Sequence, residues 1–143
     1  MYTEQFLKNI VEQYIPFHRL LNLQLLSVRE GFAQISIPYA PELVGDPRVG
    51  RLHGGVISTA MDAAGGAAAI TTLSHQEDQL STIDMRVDYL YPGQSKDIVV
   101  SGEIVRDGKS VIFTRMWAQH PDEEQLIAEA RAVYRVSRHK ERK

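Results

Sequence analysis

The groups in this chain best suited to chemistry lie in one stretch, Leu52-His53-Gly54-Gly55-Val56-Ile57-Ser58-Thr59-Ala60-Met61-Asp62. Paired glycines at a helix start leave backbone N–H groups unobstructed and let a ligand oxygen come close. The helix dipole favours negative charge at that end, and an oxyanion forming from a carbonyl is a suitable occupant. Asp62 is the only ionisable residue between Gly54 and Leu73, on a helix that is otherwise apolar all round. Burying a lone carboxylate there is costly, so it calls for a partner or a chemical task. At ~1.5 Å rise per residue, Asp62 lies roughly 12 Å along the axis from Gly54. Reacting groups need to be within about 3–3.5 Å, so one copy of the helix cannot bring these two together. Two copies run antiparallel across a two-fold axis do so, which predicts a dimer with two shared sites.

The elements that must hold this helix follow from periodicity. Phe6, Leu7, Ile10, Val11 and Tyr14 share one face of a predicted helix over 3–15, which Pro16 ends or resets. Leu20–Val28 and Phe32–Ile37 read as a hairpin turning at Arg29-Glu30-Gly31. Pro38, Pro41, Gly45-Asp46-Pro47 and Gly50 mark a loop before the apolar helix. Four strands follow, at Leu80–Tyr91, Ile98–Arg106, Lys109–Gln119 and Gln125–Val136, with Asp107-Gly108 as a hairpin turn. In the first of these, Ile83, Met85, Val87 and Tyr89 are predicted on one face, and Thr82, Asp84, Arg86 and Asp88 on the other. No helix separates the last four strands, so the fold is α+β, with a mainly antiparallel sheet wrapped around the long helix and leaving little of it wet. Gly65-Gly66 reads as a close-packing device, and the tail over 138–143 as frayed.

Bulk properties narrow the function. The 143 residues suit one domain, 1–143, with 43% hydrophobic and 24% charged residues, as in ordinary globular chains. A net charge of -2 gives no general attraction to nucleic acid or anionic lipid. There is no cysteine, hence no thiolate nucleophile or disulfide, and the N-terminal residues lack a signal-peptide pattern. The run from Val56 to Ile70 is too short to span a bilayer, and a cytoplasmic protein without membrane partners is expected. His18, His75, His120 and His139 form no metal-ligand spacing, and no Gly-x-Ser-x-Gly elbow is present.

In element order and in Leu52-His53-Gly54-Gly55…Asp62, the chain resembles the hotdog-fold acyl-CoA thioesterases of the PaaI-like branch. There an HGG motif opens the central helix and an Asp lies nine positions after the His. The resemblance spans the first strand to the last. It implies a hotdog fold, hydrolysis of an acyl-CoA to free acid and coenzyme A, no metal or redox cofactor, and self-association as a dimer or dimer of dimers. Gly54 N–H is then the main oxyanion donor, while His53 and Gly55 shape the helix entry. Asp62 activates water as a base or attacks the thioester to give a mixed anhydride. The hydroxyl that assists such a carboxylate falls on Thr82. An Asn that some relatives carry six residues before the His is replaced by Pro47, with Asp46 or Arg48 as possible substitutes.

Arg106, Lys109 and Arg138 are candidate contacts for the coenzyme A phosphates, although surface cations are ordinarily just solvated. Of Tyr39, Tyr89, Tyr91 and Trp117, mostly core or sheet-face residues, one or two are candidates to line an acyl pocket. Two rival functions remain open on the sequence: a hydratase or dehydratase acting on acyl thioesters, and a non-catalytic acyl-CoA sensor. Release of free coenzyme A distinguishes hydrolysis from both.

Overall fold

In the computed structural model, which describes residues 2–139, eleven- and twelve-residue strands frame one seventeen-residue helix. The strands are β1 (Gln24–Arg29), β2 (Phe32–Ile37), β3 (Val44–Asp46), β4 (Arg51–Leu52), β5 (Gln79–Tyr89), β6 (Ile98–Asp107), β7 (Val111–Gln119) and β8 (Leu126–Ser137). Six of them form one antiparallel sheet in the order β1-β2-β6-β7-β8-β5, while β3 and β4 make a separate short ribbon. The central helix, α3 (Gly54–Ile70), packs against β2, β5, β6, β7 and β8. The α+β architecture and the four-strand run after the helix are as expected.

The helix sits close to the sheet because two glycines lack side chains. A methyl on Gly102 of β6 would lie 2.7 Å from the Ala64 carbonyl, and one on Gly65 of α3 would lie 2.6 Å from the Tyr134 hydroxyl oxygen. Gly65 is therefore the close-packing residue of the pair, whereas a methyl on Gly66 would meet Tyr134 at an ordinary 3.7 Å. Ile57, Ala60, Met61, Ala64, Ala67 and Ala68 are buried against β2, β6 and β7. A stripe through Gly55, Thr59, Asp62 and Gly66 is not fully covered. The helix is thus wetter on one side than its composition suggests.

Three local expectations need correction. The helix predicted over 3–15 is α1 (Glu4–Asn9) followed by a wider π turn, Ile10–Tyr14, closed by Ile15 N–H donating to the Ile10 carbonyl at 3.3 Å. Pro16 then sits in the first turn of a second short helix, α2 (Pro16–Leu20), so Leu20 belongs to a helix and β1 starts at Gln24. Proline's fixed φ and missing N–H suit a first helical turn, so it restarts the segment rather than only stopping it.

The alternation predicted for β5 fails at one residue. Thr82 pairs with Tyr134 and Asp84 with Val133, so Ile83 is an extra, bulged residue, 58% exposed. Directly opposed residues share a face. Thr82 therefore points inward with Tyr134, on the same face as Met85, which pairs with buried Ala132, and Val87, which pairs with Ala130. A bulge shifts the side-chain phase by one position, and the hydrophobicity pattern does not reveal it.

The tail is ordered at its start. Arg138 donates to the Thr72 carbonyl at 3.1 Å and to Asp107 Oδ1 at 2.8 Å. His139 N–H donates to Asp78 Oδ1, and its ring stacks on His75 at 4.2 Å. The remainder of the predicted frayed tail, 140–143, lies outside the described residues. Among the described residues, no helix is long and apolar enough to cross a membrane.

Candidate active site

The start of α3 is set by His53, whose extended backbone makes it the N-cap. Its Nδ1 accepts from Gly55 N–H at 2.8 Å, which fixes the proton of a neutral ring on Nε2. His53 thereby satisfies one of the orphan amides of the first turn and leaves the Gly54 N–H without an acceptor among the described residues. Gly45 permits this cap: a methyl there would come within 2.8 Å of the His53 Cα. The Gly54 carbonyl accepts from the Tyr89 hydroxyl at 2.9 Å, and a methyl on Gly54 would meet the Tyr89 ring at 3.3 Å. A cavity of about 360 Å³ opens beside this end, lined by Gly54, Ile57, Leu52, Tyr89 and Gly93 among others.

Asp62 occupies a second cavity, of about 190 Å³. Its Oδ1 accepts from Thr82 Oγ1 at 2.9 Å and from the Tyr134 hydroxyl at 3.1 Å. The same Tyr134 hydroxyl reaches the Asp62 main-chain carbonyl at 2.8 Å. Burial, then the Asp62 charge and the hydrogen bond to it, push the Tyr134 phenol well above its ordinary range, so it serves as a donor. Oδ2 has no donor among the described residues and is the oxygen left for a ligand. Ile10, Ile15, Ala63, Ile70 and Leu80 make most of the remaining wall apolar. The lone acid thus has two hydroxyl partners on the sheet and one open oxygen, an arrangement suited to holding water or meeting an acyl carbon.

Of the residues expected from sequence, His53, Gly54 and Gly55 meet at the helix start, and Asp62 meets Thr82. Asp46 and Arg48 are spent on each other, with the Arg48 guanidinium donating to both carboxylate oxygens at 3.0 Å. Arg138 is held by Asp107, near the C-terminal end of α3. Arg106 and Lys109 flank the same turn, exposed and without an ion-pair or hydrogen-bond partner among the described residues.

Sequence reasoning missed Tyr134 and offered Tyr89 only as a candidate wall of an acyl pocket, not as the donor to the Gly54 carbonyl. The available signal was an inward tyrosine on β8, because a buried phenol requires a polar partner. The one group of three described side chains near enough to share a metal ion is His75, Glu77 and His139. All three are exposed, and His139 already contacts Glu77 at 2.6 Å.

Comparison with known proteins places this geometry in a family. The profile described as "Thioesterase superfamily" matches residues 49–134, from the approach to α3 through the Asp62 partner on β8. The medium/long-chain acyl-CoA thioesterase YigI of Escherichia coli (strain K12) is 34% identical, over 94% of this chain and 96% of that one. A solved structure from Shewanella oneidensis, described as related to the thioesterase superfamily, is 32% identical with a TM-score of 0.83, covering 93% of this chain and 94% of that one. Thioesterase HI1161 of Haemophilus influenzae, at 17% identity, shares the fold with a TM-score of 0.83, covering 96% of this chain and 92% of that one. The chain, with its six-stranded antiparallel sheet, its central helix and the Asp62 pocket beneath that helix, therefore belongs to the thioesterase superfamily and has the hotdog fold.

Proposed function

We propose that this protein hydrolyses an acyl-CoA thioester to the free acid and coenzyme A at two equivalent sites, each shared by two copies of the chain. The observation that carries this reading is the pair of unspent groups on α3: the Gly54 N–H at its start and Asp62 Oδ2 two turns on. Gly54 of one subunit stabilises the oxyanion, and Asp62 of the other supplies the carboxylate that activates water or attacks the thioester. Thr82 and Tyr134 hold that carboxylate, and His53 and Gly55 keep the helix entry in shape.

Two features support the dimer. The α3 stripe through Gly55, Thr59, Asp62 and Gly66 is left partly open by the sheet. Strand β5, eleven residues long, is an edge strand, paired on one side only with β8. A long open edge is a template for pairing with another chain. Tyr89 and Tyr91, both more than half exposed, lie at its end and are apolar surface that such a partner covers.

The named relative supports a medium- or long-chain acyl group, and the apolar wall of the Asp62 cavity suits one. Arg106 and Lys109 are the proposed contacts for the coenzyme A phosphates, on a turn braced by Arg138. The reaction is proposed for the cytoplasm and uses no metal or redox cofactor. The deciding experiment is release of free coenzyme A across short, medium, long and aryl acyl-CoAs, with Asp62→Asn beside the wild type. Turnover that falls by orders of magnitude in a folded Asp62→Asn protein is expected. Hydration of an enoyl thioester in place of hydrolysis, or tight binding without coenzyme A release, refutes the reading.

A further inference from the structure

The cavity at Asp62 has a second titratable wall that the mechanism above leaves unused. His18, in α2, lines it beside Ile10, Val11 and Ile15. Its Nδ1 lies 3.0 Å from the Val11 carbonyl oxygen in the π turn. A carbonyl only accepts, so Nδ1 carries a proton and Nε2 of the neutral ring carries a lone pair. His120 shows what a purely structural imidazole looks like in this fold. Its Nδ1 is 2.9 Å from the Asp97 carbonyl, and its Nε2 accepts from Gln94 N–H at 3.0 Å, so both nitrogens are used. His18 has the first of these bonds, while its Nε2 has no partner among the described residues.

We propose that His18 is a catalytic residue of the thioesterase site, its Nε2 accepting the proton of the hydrolytic water held on Asp62 Oδ2. This inference rests on the proposed function. The water oxygen bonds to the thioester carbonyl carbon while its proton passes to Nε2, and the carbonyl π pair moves onto oxygen at the Gly54 N–H. When the carbonyl re-forms, the C–S bond breaks, the thiolate leaves with the bonding pair, and the imidazolium proton restores the thiol. Asp62 holds and polarises the water. The Val11 carbonyl holds the ring at Nδ1, so the Nε2 lone pair is the one available to take the water's proton.

The other titratable groups lining the cavity are Asp62 on α3 and Tyr134 on β8, with no cation among the described residues. Burial lowers the His18 pKa, opposed by the Val11 bond and by the Asp62 charge. The ring is thus neutral at rest, and the carboxylate stabilises the imidazolium once it forms.

The test uses the full-length protein, with decanoyl-CoA as substrate and initial rates followed from about pH 5 to pH 9. His18→Asn places an amide donor near the Nδ1 position, so the Val11 bond survives and the proton acceptor is lost. Its kcat is expected to fall about 100-fold or more with KM little changed. The acid limb of kcat/KM is expected to disappear with it. His18→Gln, which cannot titrate, should behave alike. In the wild type, the midpoint of the acid limb should coincide with the His18 midpoint in an NMR titration of the imidazole protons, a measurement that needs no variant to fold. Wild-type kcat in either folded variant, a change confined to KM, or mismatched midpoints overturns the assignment. Absence of any thioesterase turnover in the wild type overturns the proposed function itself, so the two failures are distinct.

Discussion

One phenolic proton on Tyr134 serves two acceptors of Asp62, the main-chain carbonyl at 2.8 Å and the carboxylate at 3.1 Å. Strand β8 therefore fixes both the helix backbone and the acid it carries. Tyr134→Phe removes that donor without changing the ring, leaving the Asp62 carbonyl with one partner fewer. A loss of about 1–3 kcal/mol in chemical denaturation is expected. A roughly tenfold drop in kcat should accompany it, equivalent to about 1.4 kcal/mol of transition-state misplacement.

Gly65 gives an independent handle on the same contact. Gly65→Ala forces a methyl within 2.6 Å of the Tyr134 oxygen and 2.9 Å of the Met116 sulfur. Overpacking of this kind costs about 1–3 kcal/mol, so a lower melting temperature is expected. Gly66→Ala, whose methyl has 3.7 Å of room, should melt at or above the wild-type temperature, because alanine is favoured in helices by about 1 kcal/mol.

The shared site can be tested by mixing. Asp62→Asn and Gly54→Val should each be inactive alone, the latter because the added branch meets the Tyr89 ring. Subunits exchanged at random give half mixed dimers, each with one intact site, so about a quarter of wild-type activity should return. Size-exclusion chromatography of each parent checks that both assemble, and no recovery from two assembled parents refutes the sharing.

His18 also predicts an acid-labile fold. Its folded pKa is lowered by burial, against an ordinary value of 6.5 in the unfolded chain. Between those two values the unfolded state binds more protons, so stability falls as pH drops. That stability is fully present above about pH 6.5 and is lost as pH falls through the folded pKa. Thermal melts across this window should fall more steeply for the wild type than for His18→Asn.

The parts of the site legible in the sequence were those set by local spacing. Gly54, Gly55 and Asp62 share one helix, and the antiparallel strands follow from alternation and from the turns between them. Tyr134 was legible only as an inward tyrosine in need of a polar partner; that the partner is Asp62, 72 residues away, follows from the folded arrangement and not from local spacing. Thr82 was identified, but the alternation of β5 assigned it to the wrong face, since one bulged residue inverts the phase. The N-terminal segment was the least legible. Its 3.6-residue pattern suits an α-helix through Tyr14, while the π turn carries Val11 to the position where its carbonyl meets His18.

The bulge at Ile83 has a consequence for chain length. Deleting one residue from a strand ordinarily turns every side chain beyond it to the other face. Here the partners on either side of Ile83, Tyr134 and Val133, are already consecutive, so the β8 template has no position for it. An Ile83 deletion should leave a regular ladder with Thr82, Met85 and Val87 still facing α3, and folding is expected to survive it. What should change is the local twist that bulges add, and with it the aim of the Thr82 hydroxyl at Asp62. Strand β5 thus carries a supernumerary residue that the fold can spare, retained at the point where the sheet meets the acid.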